Sequence, residues 1–159
     1  MKKGYMIFFI LFIILFNINS QKYHISDIAD NLDNLKERYN ISFLVKDIKS
    51  SDFTKMWTKF SEMSNEDVTS FNDFITIFIE EFSKYPEDFV KASKLKSVAF
   101  VKNLKYGGEM VSYFPDAYGE TIYFDVEYGY YAKDYVRLII HHAFFNMVEE
   151  TFNKSIFFE

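Results

Sequence analysis

The chain has 159 residues, of which 49% are apolar and 21% aromatic, with 5 Gly, 2 Pro and no Cys. This composition excludes intrinsic disorder, collagen-like fibres, disulfide scaffolds and any site that depends on cysteine ligands or a thiol nucleophile. The formal net charge is −5, and without Lys2 and Lys3 the remainder has 16 basic against 23 acidic side chains, a balance of −7. A chain this acidic has no electrostatic footprint for nucleic acid, and an anionic membrane surface repels it.

Lys2 and Lys3 precede eleven consecutive apolar residues, Met6 to Phe16, and the chain then turns polar through Asn17, Asn19, Ser20 and Gln21. A basic start, a short apolar run and a small residue at a cleavage position make the plan of a secretory signal peptide. The run is shorter than the ~20 residues a spanning helix needs. The expectation is a signal peptide over 1–20 and a secreted single domain over 21–159, with no stable membrane span after cleavage. The alternative is an uncleaved N-terminal membrane anchor.

Ser26 opens a helical pattern in which Ile28, Leu32, Leu35 and Tyr39 share one face, with Asp27 and Asp30 in its first turn. Ile41 to Val45 reads as a short strand. Ser51 and Asp52 begin a second helix whose apolar side would carry Phe53, Met56, Trp57 and Phe60. Ser70 and Asp73 resemble a capping box, followed by a wide stripe of Phe71, Phe74, Ile75, Phe78 and Phe82. That stripe reads as core. Pro86, Glu87 and Asp88 suit the first turn of a further short helix.

The texture changes after Lys96. Ser97 to Val101 and Thr121 to Val126 read as strands, Gly107-Gly108 as a turn, and Pro115, Gly119 and Gly129 as loop positions. Asp116, Glu120, Asp125 and Glu127 read as a solvated acidic edge around the second strand. One long helix from about Lys133 to Phe152 closes the chain, with Val136, Ile139, Ile140, Ala143, Met147 and Val148 as its apolar positions. The expected class is α+β: a helical N-terminal half, a small and mostly antiparallel sheet, and a long C-terminal helix.

Candidate chemistry concentrates in that last helix. Two of the three histidines, His141 and His142, sit there, and the third is His24. A helix holds zinc with ligands one turn apart. His142 has Asn146 at that spacing and Glu149 two turns on, so the three form a polar stripe and a weak metal constellation. Ala143 follows His142, where the H-E-x-x-H motif carries its general base.

The segment from about Ser97 to Phe152 resembles the core of the zincin-type metallopeptidases, and within them small secreted proteins whose active-site helix reads H-H-E-x-x-H. Val98 to Leu104 resembles an upstream strand, Thr121 to Val126 the edge strand that lines the cleft, and Tyr135 to Phe152 the active-site helix. The resemblance puts His142 at the first zinc ligand. It puts Ala143 at the catalytic Glu, Asn146 at the second ligand and Phe152 at the third His of the extended motif. The last three depart from the family pattern. Without the base and the second ligand, peptide hydrolysis by the usual route fails. The resemblance therefore implies a catalytically inactive pseudopeptidase with no cofactor, His142 and Glu149 being the residual candidates for zinc, and a peptide or protein as partner.

Two other readings of the same residues stand beside it. One is a non-enzymatic secreted interaction domain of unrelated fold, marked by an exposed aromatic patch away from His142. The other is a metallohydrolase with unusual ligands, His142, Glu149 and the distant His24.

Overall fold

A stripe of aromatic and aliphatic side chains three and four residues apart makes one side of a helix the natural floor for a sheet. In a computed structural model of the protein, which describes residues 28–127 and 132–157, that helix spans Val68–Phe82. Residues 1–20, expected to form a signal peptide, lie outside the described residues, as do His24, Ser26, Asp27, Gly129 and the side chain of Phe53.

The elements run in the order α1 (28–39), β1 (Ser42–Leu44), α2 (Asp52–Trp57), β2 (Thr58–Ser61), α3 (Val68–Phe82), α4 (Glu87–Ala92), β3 (Ser97–Tyr106), β4 (Glu109–Met110), β5 (Tyr113–Asp116), β6 (Thr121–Asp125) and α5 (Lys133–Phe157). The fold is α+β. Its main sheet has the order β1-β3-β6-β5, with β1 and β6 parallel to β3 and β5 antiparallel to β6. β3 runs on past this sheet and pairs antiparallel with β2 and β4.

Alternation along the two central strands divides the interior. Val98 and Phe100 of β3, with Ile122 and Phe124 of β6, face α1, α3, α4 and α5 in the principal core. Ala99, Val101 and Tyr123 face the other way, where Leu44, Phe60, Val111 and Phe114 cover them. Both faces being buried, β6 reads as a nearly continuous apolar run. Phe74, Ile75, Phe78 and Phe82 are buried as their spacing implies, and Phe78 meets Phe100 edge to face at 5.2 Å. Burying one such ring contributes about 1.5–3 kcal/mol.

Several expectations are corrected. The capping box lies at Ser64 and Asp67, where the Asp67 carboxylate accepts from the Ser64 N–H at 2.6 Å through a 3₁₀ turn, and not at Ser70 and Asp73. The second helix stops at Trp57, and Phe60 belongs to a strand. Met56 and Trp57, expected on the apolar side of that helix, are 72% and 49% exposed, and Thr54 takes the buried position.

Thr121 to Val126 does not form an edge strand. Thr121–Asp125 lies inside the sheet between β3 and β5, and Tyr113–Asp116 is the edge. Pro115 is tolerated there because an edge strand has an open side on which no amide donor is needed.

Nor is the acidic cluster a solvated edge, since Asp116 and Asp125 are each 1% exposed. The Asp116 carboxylate accepts from the N–H groups of Tyr118 and Gly119 and from the hydroxyls of Ser51 and Thr54, tying the start of α2 to the β5–β6 turn. A Cβ on Gly119 would stand 2.5 Å from that carboxylate and would push it away from its donors. Asp125 accepts from the Leu104 N–H at 2.7 Å and the Glu127 N–H at 3.0 Å. It thereby replaces a ladder partner where β3 leaves β6, next to Asn103 with its positive φ of 55°.

Candidate functional site

α5 buries Val136, Ile139, Ile140, Ala143, Phe144 and Met147 against the sheet and α3. Consecutive residues on a helix are about 100° apart, so His141 and His142 leave α5 in different directions. They flank the buried stripe on opposite sides, His141 towards α3 and His142 on the side of β5.

His141 enters a polar cluster on α3. Its Nε2 lies 3.0 Å from Glu81 Oε2, and its Nδ1 lies 2.6 Å from the Tyr85 hydroxyl. An ionised carboxylate only accepts, so Nε2 carries the proton between His141 and Glu81, and Nδ1 is left to meet the Tyr85 hydroxyl. Glu81 is 4% exposed, and its other partners are Lys84 Nζ at 2.7 Å and Arg137 Nε at 3.0 Å. Arg137 also reaches Glu80 at 3.5 Å and Asp134 at 3.2 Å.

The charges follow from these contacts. The Lys84 ammonium, hydrogen-bonded to Glu81, holds that carboxyl below its ordinary range; burial opposes it, and His141 and Arg137 add to it. Burial first, and then the charge of Glu81, pushes the Tyr85 hydroxyl up to about 12. Carboxylate, imidazole and hydroxyl stand in line, as in a relay that activates a nucleophile. The hydroxyl at the end of this line is made less acidic, and its ring packs against Phe82, Phe89 and Phe144. The line joins α3 and the turn after it to α5 through Glu81, His141 and Tyr85.

On the other flank His142 is exposed. One turn on, the Asn146 amide donates to the Tyr113 hydroxyl of β5 at 3.0 Å. Glu149, two turns from His142, is exposed. Ala143 is fully buried in the principal core, so its position is closed to a substrate. Among the described residues no group of three or more His, Asp or Glu side chains could hold a metal ion, and no helix is long and apolar enough to cross a membrane.

The helix is legible in the sequence, and the cluster around Glu81 is not. Glu81 follows Ile77 and Phe78 by four and three residues on the apolar side of α3. A carboxylate in that stripe needs cationic partners, which was the available signal. That Arg137 and His141 supply two of them depends on a pairing 56 and 60 residues away.

No family model, no curated protein and no solved structure matches the chain.

Proposed function

We propose that this chain is a secreted, catalytically inactive relative of the zincin-type peptidases, a pseudopeptidase whose remaining capacity is to bind a peptide or protein. The observation that carries the reading is the register of α5 beside the edge strand β5. His142, at the first-ligand position of the resemblance, is exposed. Asn146, at the second, spends its amide on Tyr113 of that strand. Ala143, at the base position, is sealed in the core. A zinc-bound water needs a ligand set and a base within reach of its proton. Of these, only the imidazole of His142 is at hand.

The test is elemental analysis of the purified chain beginning at Gln21, beside its His142→Ala variant, with a peptide-hydrolysis assay in added zinc. The reading expects no stoichiometric zinc and no zinc-dependent cleavage. About one zinc per chain, lost in the variant and accompanied by hydrolysis, would overturn it. For the export part of the reading, residues 1–20 fused to a reporter should direct it out of the cell with loss of the segment.

A further inference from the structure

A second surface, away from α5, carries its own signal. α2 ends at Trp57 and passes directly into β2, which leaves Met56 and Trp57 exposed beside the three-stranded sheet of β2, β3 and β4. In that sheet Lys59 of β2 stands in register with Lys105 of β3, and Lys105 with Met110 of β4. Directly opposed residues share a sheet face, so the two lysines rise from neighbouring positions on one face next to exposed apolar side chains. Like charges in that position destabilise a strand pair.

Among the described residues no carboxylate forms an ion pair with either lysine. Nearby Lys55 and Lys102 have carboxylates, Asp52 at 3.1 Å and Asp67 at 2.9 Å. Glu109, across the hairpin, is in register with Tyr106 and so takes the opposite face. A groove of about 420 Å³ opens at this point, lined by Met56, Trp57, Lys59, Lys105, Gly107 and Gly108. The Gly107 N–H donates to the Trp57 carbonyl at 2.9 Å and fixes the hairpin tip against the end of α2.

We propose that this groove binds an acidic peptide segment of a partner protein. A carboxylate of the partner sits between Lys59 and Lys105, and an apolar side chain next to it lies against Met56 and Trp57. Charge complementarity selects the occupant: two unmatched cations share one face of a chain whose net charge is −5. The lining side chains are themselves exposed, so the groove cannot enclose a small ligand as a cofactor pocket does. A broad anionic membrane would meet the repulsion of the whole chain, whereas a short acidic segment meets only the local field. This inference is independent of the reading of α5, since no residue is shared.

Trp57 is the chain's one tryptophan, so its emission reports on the groove directly. The full-length chain is titrated with an acetylated, amidated Glu-Leu-Glu-Leu-Glu peptide, with the Gln-Leu-Gln-Leu-Gln analogue, with inorganic phosphate and with phosphatidylserine vesicles. The expected result is a saturable change with the acidic peptide, at a Kd on the order of 0.1–1 mM for so small a contact. It weakens about tenfold in Lys59→Gln and in Lys105→Gln, and it weakens again with added salt. No saturable change, an equal response to the Gln analogue, or a response to phosphate or vesicles alone would overturn the proposal. Thermal unfolding separates function from structure. Either single substitution should raise Tm by about 1–3 °C, because it removes the opposed charge. A fall in Tm would show that the lysines serve the fold, and would overturn the proposal as well.

Discussion

His141 Nε2 lies 3.0 Å from Glu81 Oε2, and this contact joins the long terminal helix to the helix that carries Phe74, Phe78 and Phe82 of the core. Glu81 is buried while Lys84, Arg137 and His141 keep part of their side chains in solvent. The carboxylate is thus the member of the cluster with no access to water, and the one whose loss leaves the most behind.

Replacing Glu81 with Gln should cost about 2 kcal/mol in urea unfolding, below the 3–5 kcal/mol of a fully desolvated pair because its partners are part-exposed. Glu80→Gln is the comparison. Its side chain is 54% exposed and its ion pairs are long, so it should change stability by less than about 0.5 kcal/mol. Equal effects at the two positions would refute this reading of Glu81.

The same carboxylates set the acid response. The pKa of Glu81 is lowered from 4.5, and that of Asp67 is lowered from 3.8 to about 2, first by its hydrogen bond from Ser64 and then by Lys102. A lowered folded-state pKa contributes stability that is present above the unfolded value and lost as pH falls through the folded one. Stability should therefore decline below about pH 4.5 and continue to decline towards pH 2. In Asp67→Asn the part lost between pH 3.8 and about 2 should shrink. An unchanged acid limb would count against the Ser64–Asp67 cap.

Tyr85 works with the opposite sign. Its pKa is raised from 10.0 to about 12, so its contribution is complete below pH 10 and is lost as pH climbs towards 12. Tyr85→Phe removes the hydroxyl that meets His141 and should flatten the alkaline limb of the stability curve between those values. A variant limb as steep as that of the parent would place the alkaline transition elsewhere.

Thr58 offers a gain. Its Oγ1 is buried and has no hydrogen-bond partner among the described residues. Thr58→Val keeps the shape, suits a strand position and removes an unsatisfied hydroxyl, so it should stabilise by about 1 kcal/mol in urea unfolding. A loss would show that the hydroxyl has a partner, such as an internal water.

What could be read beforehand divides along physical lines. α3 and α5 were legible because the apolar positions from Phe71 to Phe82 and from Val136 to Met147 keep a helical period over several turns. β5 was not. Tyr113-Phe114-Pro115-Asp116 has no alternation, and its proline argues against a strand until the sheet shows that it lies on an edge. The end of α2 was misread because Met56 and Trp57 are at helical spacing for burial, while the position that enters the core belongs to Thr54. Asp116 and Asp125 are acidic in sequence and internal in structure because backbone donors in turns and at a strand crossover claim them. The Gly119 donor is local, three residues on, whereas the Leu104 donor reaches Asp125 only once β3 and β6 have met. His141 and His142 were found as residues, yet their division between α3 and β5 follows from which flank of α5 each neighbour occupies.

The last prediction concerns the closed base position. Ala143 contributes a methyl group to the principal core and has no exposed surface. Ala143→Glu would place a carboxyl there with no cation described beside it, and its long side chain would overpack the site. Burial of an unpaired acid raises its pKa and costs several kcal/mol, and overpacking adds 1–3 kcal/mol. The variant should therefore unfold at least ~3 kcal/mol more easily than the parent and should gain no zinc-dependent peptidase activity. Pairing it with Asn146→His restores the letters of the motif without opening the core. It also removes the hydrogen bond to Tyr113, so the double variant should be less stable still and remain inactive. A stable double variant that binds zinc and cleaves peptide would mean that α5 can rotate its Ala143 side towards solvent, and the chain would then be an enzyme two substitutions from activity.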